Sequence, residues 1–292
     1  MHNHPAAADL ANGVSASASG PRLLLPVSSL SDVQCDSKAG EPVTTIVVLD
    51  TETTGVDPDR DEIIEIAAVM LHLDAEGRLV RIGRSGDGLR DPGFPLPAQI
   101  GKITRLTDED LVGQSIDLER LELFLKSADV LLAHNARFDA RFLERLLPGL
   151  GGHAWACSAS DFDWLGHGFD GRSLGYLLTQ IGRYNAGHRA MADVISLIHL
   201  LLHQIEDGST ILQKTLARAS QLSLRIEPRK APFETRTVLK GRGYSWDPSI
   251  RTWWTEVAEE DADAEQLWLQ RMVVPWGPPP VVKQISWHDR HR

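Results

Sequence analysis

Apolar and polar positions along this 292-residue chain form blocks that predict strands first and helices later. The β-branched run at residues 45–49 is typical of a buried strand. The apolar stretches at 63–71 and 78–84 predict two further strands, and the Gly- and Pro-rich stretch at 87–97 predicts a loop. The first part of the chain therefore predicts three consecutive strands.

The next part of the chain alternates strands and helices. Apolar runs predict a strand at 130–133 and a weaker one at 154–158. A threonine followed three residues later by an acid predicts a short helix that begins near Thr107. Helical spacing of apolar residues predicts helices over 118–125, from 136 to the Pro148-Gly149 pair, over 174–181 and over 191–201. This order predicts an α/β domain, one mixed sheet flanked by helices, over residues 44–206.

Three segments lie outside this predicted domain. Residues 1–43, which are rich in small and polar residues at their start, predict a disordered tail or, alternatively, an arm that docks on the surface. Residues 207–272 predict a small C-terminal α+β module, because a glycine turn and a hairpin at 239–254 precede an acidic helical pattern. Residues 273–292 predict a Pro-rich tail.

The composition is that of a soluble globular protein, with 42% hydrophobic and 24% charged residues. Thirty Lys and Arg against 40 Asp and Glu leave a net charge of −10, which excludes a protein that coats nucleic acid through its overall charge. A nucleic-acid partner would therefore need bound metal ions or a local basic patch. The sequence has neither a long apolar run nor an export signal, and its two cysteines make no disulfide framework, so the expected location is cytoplasmic.

Four acidic residues carry the candidate chemistry. Asp50 and Glu52 follow the first strand at positions i and i+2, which point to one face of a strand. Two such carboxylates suit Mg²⁺ or Mn²⁺, although a pair of this kind can also be a solvated strand end. Asp139 lies near a predicted helix start. Asp193 lies beside the apolar stripe of the last predicted helix, where an unpaired carboxylate is costly to bury.

A histidine and a glutamate complete the set of candidate residues. His188 follows a flexible turn and titrates near neutral pH, so it can act as a general base, with a solvated loop histidine as the alternative. Glu65 interrupts an apolar strand. We therefore expect Glu65 to be a structural carboxylate that pairs at a strand edge or at a helix end.

Taken together, these segments resemble the three motifs of the DEDDh (DnaQ-like) 3′–5′ exonuclease family, which includes the epsilon proofreading subunit of bacterial DNA polymerase III, ribonuclease T and oligoribonuclease. The motifs are residues 50–55 (DTETTG), residues 134–139 (HNARFD), and His188 with Asp193. The resemblance implies a ribonuclease-H-like fold, a mixed sheet flanked by helices. It also implies two Mg²⁺ or Mn²⁺ ions, with the ligands Asp50, Glu52, Asp139 and Asp193.

The same resemblance implies how a substrate would be handled. His188 would take the proton of the attacking water, and nucleoside 5′-monophosphates would leave from the 3′ end of a single strand, with DNA favoured over RNA. The expected substrate contacts are Thr51, Thr53, Thr54 and Asn135. Many relatives carry His-Gly-Ile-Thr where this chain has residues 104–107 (TRLT). There Leu106 could still form an apolar wedge, and Arg105 could reach a phosphate.

The C-terminal module combines basic and aromatic residues. Between residues 210 and 256, nine basic and four acidic side chains give a local charge of +5. Aromatic rings among Lys and Arg are typical of single-strand binding, whereas a small domain also needs such rings for its core. The candidate nucleic-acid contacts are Lys240, Arg242, Tyr244, Trp246 and Trp253. The alternative is a protein-binding element, with a DNA polymerase or another replication or repair protein as the partner.

Overall fold

The structure is a computed structural model that describes residues 22–27, 29–185 and 187–291. Its strands are β1 (Leu25–Pro26), β2 (Thr44–Thr53), β3 (Ile63–Leu73), β4 (Leu79–Leu89), β5 (Val130–Ala133), β6 (Trp155–Cys157), β7 (Arg183–Tyr184), β8 (Ser223–Glu227), β9 (Ser245–Asp247), β10 (Thr252–Ala258) and β11 (Val281–Ile285). Its α-helices are α1 (Ala98–Thr104), α2 (Asp108–Leu111), α3 (Leu118–Lys126), α4 (Ala136–Leu146), α5 (Leu174–Gln180), α6 (Ala190–Leu201), α7 (Ile211–Ala219), α8 (Arg236–Gly241) and α9 (Ala262–Met272). Within the described ranges, every helix is too short or too polar to cross a membrane.

A mixed five-stranded sheet forms the centre of the larger domain, in the order β4-β3-β2-β5-β6. β3 is antiparallel to both β2 and β4, whereas β5 runs parallel to β2 and to β6. This is the mixed sheet flanked by helices that the sequence predicts. Because β2 and β5 are parallel neighbours, their carboxyl ends lie at the same edge of the sheet.

Helices cover both faces of this sheet. On one face, Val48 and Leu132 pack with residues of α5, α6 and α7, among them Leu197. On the other face, Leu49 packs with residues of α3 and α4, among them Phe142. Strands that are buried on both faces need apolar residues at every position, which explains the unbroken apolar runs of β2 and β5.

Two boundaries of the larger domain differ from the sequence prediction. β4 extends to Leu89, into the stretch predicted as a loop, because its backbone pairs with β3 in spite of its glycines. At the other end, α7 buries Ile211 and Leu212 in the same core as α6. The domain therefore continues past residue 206, and α1, which the sequence analysis does not include, adds a further helix after β4.

The stretch from residue 22 to the start of β2 docks on the larger domain, as the alternative prediction for this segment has it. β1 pairs in parallel with β7, and Val27, Leu30 and Val33 pack against the core. These apolar side chains give the segment a surface to bury, so the predicted disorder does not extend over it. The prediction for residues 1–21 lies outside the described residues.

The C-terminal module has its own sheet, in the order β11-β8-β10-β9, and a small core formed with α8 and α9. β9 and β10 form the predicted hairpin. The segment predicted as a Pro-rich tail differs from the prediction, because it supplies β11, which pairs with β8. Past β11, the carbonyl of Trp287 accepts a 2.9 Å hydrogen bond from the Trp155 N–H of β6. The end of the chain therefore ties the module to the larger domain.

Candidate active site

Three carboxylates meet at the edge of the sheet where β2 ends. Asp50 and Glu52 lie two residues apart on β2, and Asp193 lies in the first turn of α6. One oxygen from each of them lies within 4.8 Å of the other two. The structure thus brings together three of the four predicted metal ligands, which belong to segments more than 140 residues apart in the sequence.

Asp139, the fourth predicted ligand, is buried in the first turn of α4, beside these three carboxylates. Its side chain is 2% exposed, and its Oδ1 accepts a 2.7 Å hydrogen bond from Thr51 Oγ1. Thr51 lies between Asp50 and Glu52 on β2. The charge of Asp139 raises the pKa of both of those carboxyls, so it acts within the same site.

The pKa values of three of the four acids, Asp50, Glu52 and Asp139, are raised, first of all by burial. Burial, followed by the charges of the neighbouring carboxylates, raises the pKa of Asp50 well above its ordinary value. Burial, followed by the charge of Asp193, raises the pKa of Glu52 to about 7. Burial also raises the pKa of Asp139 to about 7, against the hydrogen bond from Thr51, which lowers it.

A buried ion pair fixes the start of α6. Glu65 on β3 is 2% exposed, and its oxygens accept hydrogen bonds of 2.9–3.1 Å from the guanidinium of Arg189. Glu65 Oε2 also accepts a 3.2 Å hydrogen bond from the N–H of Ala190, at the helix end that favours an anion. The predicted helix-end role of Glu65 is confirmed. Its partner Arg189 could not be read from the sequence.

The loop before α6 is attached to Asp193 by two hydrogen bonds. The Nδ2 of Asn185 donates to Asp193 Oδ1 at 2.8 Å, and the backbone N–H of His188 donates to Oδ2 at 2.6 Å. His188 has a φ of 58° and is exposed. The predicted general base is therefore held beside the acids through its backbone. Sequence reasoning missed Asn185, whose signal is no more than an amide before a glycine turn.

The hydroxyls of the threonines that are predicted to contact substrate form hydrogen bonds within the protein. Like Thr51, Thr53 and Thr54 are buried. Thr53 Oγ1 donates to the carbonyl of Gly55 at 2.5 Å, and Thr54 Oγ1 donates to Asp61 Oδ1 at 3.2 Å. The carboxylate of Asp61 lies where a Cβ on Gly55 would stand. These bonds fix the loop after β2 and leave its backbone to contact a nucleotide.

The remaining predicted contacts near the site differ in exposure. Leu106 is 4% exposed and packs with Ile64 and Leu111, so the side chain expected to form a wedge lies in a small core. Arg105 is exposed and follows α1 with a φ of 62°. Asn135 is exposed and precedes α4 with a φ of 74°, a left-handed conformation that asparagine tolerates well.

Two residues of the C-terminal module that are predicted to contact nucleic acid bind another residue of the module. The hydroxyl of Tyr244 donates to Glu265 at 2.9 Å, and Arg242 Nη2 binds the same carboxylate at 2.8 Å. The other three candidates are Lys240, Trp246 and Trp253. Of these, the lysine and the first tryptophan are exposed, whereas the second tryptophan is half-buried against the module core.

The donor set at the end of β2 fits hard divalent cations. Its ligand atoms are all carboxylate oxygens, which Mg²⁺ and Mn²⁺ prefer over nitrogen or sulfur. The neighbouring carboxylates add to the effect of burial in raising the pKa of Asp50 and Glu52, and a bound cation would relieve that repulsion. Chemically, the arrangement can bring positive charge to a phosphate and can offer His188 as a proton acceptor beside it.

Known proteins were compared with the chain. The model of the RNase T family, described as exonuclease, matches residues 47–201, which is 155 of the 292 residues. A DNA polymerase III subunit epsilon-like protein of Rhodobacter capsulatus is 42% identical over 104 residues, 35% of this chain and 14% of that protein. The DNA polymerase III subunit epsilon of Treponema pallidum is 38% identical over 96 residues, 32% of this chain and 42% of that protein. The chain thus spans less than half the length of either relative.

Two solved structures are similar to parts of the chain. Exonuclease X in complex with 5′-overhanging duplex DNA has a TM-score of 0.43 and 24% identity, over 59% of this chain and 99% of that chain. E. coli Exonuclease I in complex with a dA16 oligonucleotide has a TM-score of 0.46 and 16% identity, over 85% of this chain and 64% of that chain. The family match itself covers just over half of the chain. The chain therefore belongs to the RNase T family of exonucleases.

Proposed function

We propose that this protein is a metal-dependent 3′–5′ exonuclease that releases nucleoside 5′-monophosphates from the 3′ end of single-stranded nucleic acid. The observation that carries the proposal is the meeting of Asp50, Glu52 and Asp193 within 4.8 Å, with buried Asp139 beside them. The family of the chain supports an exonuclease role for these acids, because the matching family model is described as exonuclease. The proposal assigns the polarity and the products from the resemblance of the motifs.

In the proposed mechanism, the four carboxylates would hold two Mg²⁺ or Mn²⁺ ions. When bound there, the ions would supply positive charge to the scissile phosphate and ease deprotonation of the attacking water. His188 accepts the proton of that water, since its ring is exposed and its backbone is held on Asp193 at 2.6 Å. Glu65 and Arg189 keep the start of α6, and with it Asp193, in place.

We propose DNA as the favoured substrate, with RNA trimming as the alternative. The curated relatives are named as parts of DNA polymerase III, which supports DNA. The exposed Lys240 and Trp246 in the C-terminal module suit a single strand, because a base can stack on the ring while the lysine attracts a phosphate. The predicted cytoplasmic location agrees with such a substrate and stays a prediction.

The test is degradation of 5′-labelled DNA and RNA oligonucleotides, run side by side with Mg²⁺ or Mn²⁺. We expect stepwise shortening from the 3′ end, mononucleotide 5′-phosphates as products, and loss of activity in EDTA and in Asp50→Asn. A matched control is Asp263→Asn, which removes an exposed carboxylate of α9. Undiminished degradation by Asp50→Asn, or shortening from the 5′ end, would contradict the proposal.

A second candidate is a proofreading subunit that works on a DNA polymerase. It is favoured by the two relatives that are named as the epsilon subunit or as epsilon-like. The measurement is size-exclusion chromatography of the full chain with the replicative DNA polymerase subunit of the same organism. Co-elution would support the proofreading role, whereas separate elution at micromolar concentrations would leave the free exonuclease.

A further inference from the structure

A basic face of α4 leads away from the candidate active site. Arg137 and Arg141 are exposed and lie one helical turn apart, about 6 Å along the axis. The next turn carries Arg145, which pairs with Glu62 at 3.0 Å. Among the described residues, Arg137 and Arg141 have no carboxylate within ion-pair distance. The chain therefore keeps two unneutralised positive charges at its active-site helix, although its net charge is −10.

Placing like charges one turn apart lowers the stability of a helix. Packing does not explain the pair, because both side chains are exposed. Arg137 has one contact, over the ring of Trp254 in the C-terminal module, with its guanidinium carbon 5.8 Å from the ring centre.

The two arginines border a groove that is also lined by Val56, the residue after the first motif. The groove has a volume of about 190 Å³, and Asn135 of the second motif lies in its wall. Its apolar lining comes from Val56, Pro58, Phe138 and Phe142. An apolar floor with two cations at its rim is complementary to a nucleotide, which offers a base or sugar to the floor and a phosphate to the cations.

We propose that Arg137, Arg141 and this groove bind the substrate strand on the 5′ side of the nucleotide that is removed. This inference rests on the proposed exonuclease function and adds the path that the strand takes. The occupant is single-stranded nucleic acid, because a flexible backbone can follow the helix face while one nucleotide enters the groove. Arg137 also links the path to the C-terminal module through Trp254.

The first test is fluorescence anisotropy of a labelled 12-nucleotide single strand, measured in EDTA at several salt concentrations. Each lost phosphate contact should reduce the slope of log K against log salt by about 0.7. We expect Arg141→Ala to weaken binding three- to tenfold and Arg137→Ala/Arg141→Ala to weaken it further, with a slope lower by about 1.4. The control is Arg218→Ala, an exposed arginine of α7 on the opposite face of the sheet, which should bind like wild type.

A second measurement separates the strand path from the chemistry. With Mn²⁺, the same variants should lose kcat/KM on the 12-nucleotide strand and keep it on a dinucleotide, which is too short to follow α4. Equal losses on both substrates, or an affinity and a salt slope equal to those of wild type, would overturn the proposal. Failure of wild type to degrade any strand would refute the exonuclease proposal, whereas the anisotropy experiment would still report on the path.

An independent observation concerns the N-terminal segment. Its strand β1 extends β7: the N–H of Leu25 donates to the carbonyl of Gly182 at 2.9 Å, and the N–H of Val27 donates to that of Tyr184 at 2.8 Å. The carbonyl of Ser29 accepts a 3.2 Å hydrogen bond from the ring of His199 on α6. The segment therefore bridges β7 and α6, the two elements that flank the loop of His188.

The residue that follows β7 connects this bridge to the acids. Asn185 donates to Asp193 Oδ1 at 2.8 Å and to Ser196 Oγ at 2.6 Å. We propose that β1 acts as a positioning strand, which holds β7 and Asn185 so that Asp193 and His188 keep their places. Asn185 is then a positioning residue, because it acts through Asp193.

The test compares Val27→Pro, which removes the N–H that donates to Tyr184, with Leu23→Pro, outside β1. We expect Val27→Pro to lower kcat about five- to tenfold with KM within twofold, and to speed amide exchange around β7 and His188. Leu23→Pro should change none of these. Asn185→Ala, a second variant that leaves β1 intact, should lower kcat similarly, and the double variant should be little worse than either single one.

Faster exchange around β7 with an unchanged kcat would overturn the positioning role. Equal changes of kcat and KM in Val27→Pro would do the same, because they would indicate general loosening. The exchange readout needs no activity, so it remains informative if the exonuclease proposal fails.

Discussion

Replacing Asp139 by asparagine should stabilise the metal-free protein at neutral pH while it removes a proposed metal ligand. The side chain is 2% exposed, and burial raises its pKa to about 7, against about 3.9 in an unfolded chain. A raised folded-state pKa means that the ionised form is penalised in the fold. The penalty is therefore absent below about pH 4, grows as the pH rises, and is complete above about pH 7.

The magnitude follows from that difference in pKa. A difference of about three between the folded and unfolded states corresponds to about 4 kcal/mol, which is the upper limit of the gain. Asparagine keeps an oxygen that can accept the 2.7 Å hydrogen bond from Thr51, so little of the gain should be lost to an unpaired hydroxyl. At about 2–4 °C per kcal/mol for a domain of this size, the upper limit of about 4 kcal/mol corresponds to a rise of Tm at pH 8 by about 8–16 °C.

The assay is thermal unfolding of wild type and Asp139→Asn in EDTA at pH 5 and pH 8, with Asp263→Asn as the charge-matched control. The Tm of the variant should lie clearly above that of wild type at pH 8, and the difference should be much smaller at pH 5. Added Mn²⁺ should raise the Tm of wild type at pH 8 more than that of the variant, because the ions neutralise the repulsion that the substitution has already reduced. A Tm of the variant below that of wild type at pH 8 would refute the reasoning. A Tm difference of the same size at both pH values would also refute it.

Three further predictions concern the surroundings of the site. Glu65→Ala should lower the free energy of unfolding by about 2–3 kcal/mol in urea titrations, somewhat below the usual cost of breaking a buried pair, since its arginine partner is 45% exposed. Gly55→Ala should lower exonuclease activity with a smaller loss of stability, because the new Cβ would collide with the Asp61 carboxylate; an unchanged kcat/KM would contradict this. Tyr244→Phe should cost about 1 kcal/mol in the same titrations, through the lost hydrogen bond to Glu265, and should leave dinucleotide hydrolysis unchanged.

The central sheet could be predicted from the sequence because its strands are buried on both faces. β2 and β5 need apolar residues at every position, and such runs are visible without any partner strand. β11 has no such signal, since it is an edge strand that follows prolines and is defined by its pairing with β8. The proline-rich composition therefore predicts a tail where the structure has the strand β11. A change in composition also places the predicted domain boundary before α7, whose apolar face is short.

The sequence singles out the four acids because their segments together resemble one family, and their role as metal ligands stays a prediction. The residues that support them could not be predicted. Asp50, Glu52, Asp139 and Asp193 stand at the ends of strong elements, where a change from apolar to acidic residues is conspicuous. The support from Arg189 to Glu65 joins residues 124 positions apart, and nothing local marks either one as the partner of the other. Local sequence signals indicate the proposed metal ligands. The residues that support these ligands are determined by pairing between distant parts of the chain.

The net charge of −10 says little about the field that a 3′ end would meet. Part of that charge is the group of acids itself, where burial and the neighbouring carboxylates raise the pKa of Asp50 and Glu52. Arg137 and Arg141 lie on the exposed face of α4, the helix that buries Asp139, and at physiological salt the attraction of their charges fades over about 8 Å. In the proposed exonuclease, these arginines and the basic stretch at 210–256 would attract a strand, and the acidic remainder of the surface would repel it. An electrostatic attraction of such short range suits the proposed enzyme, which would bind one strand end at a time. A duplex would make few phosphate contacts with the protein and would bind weakly.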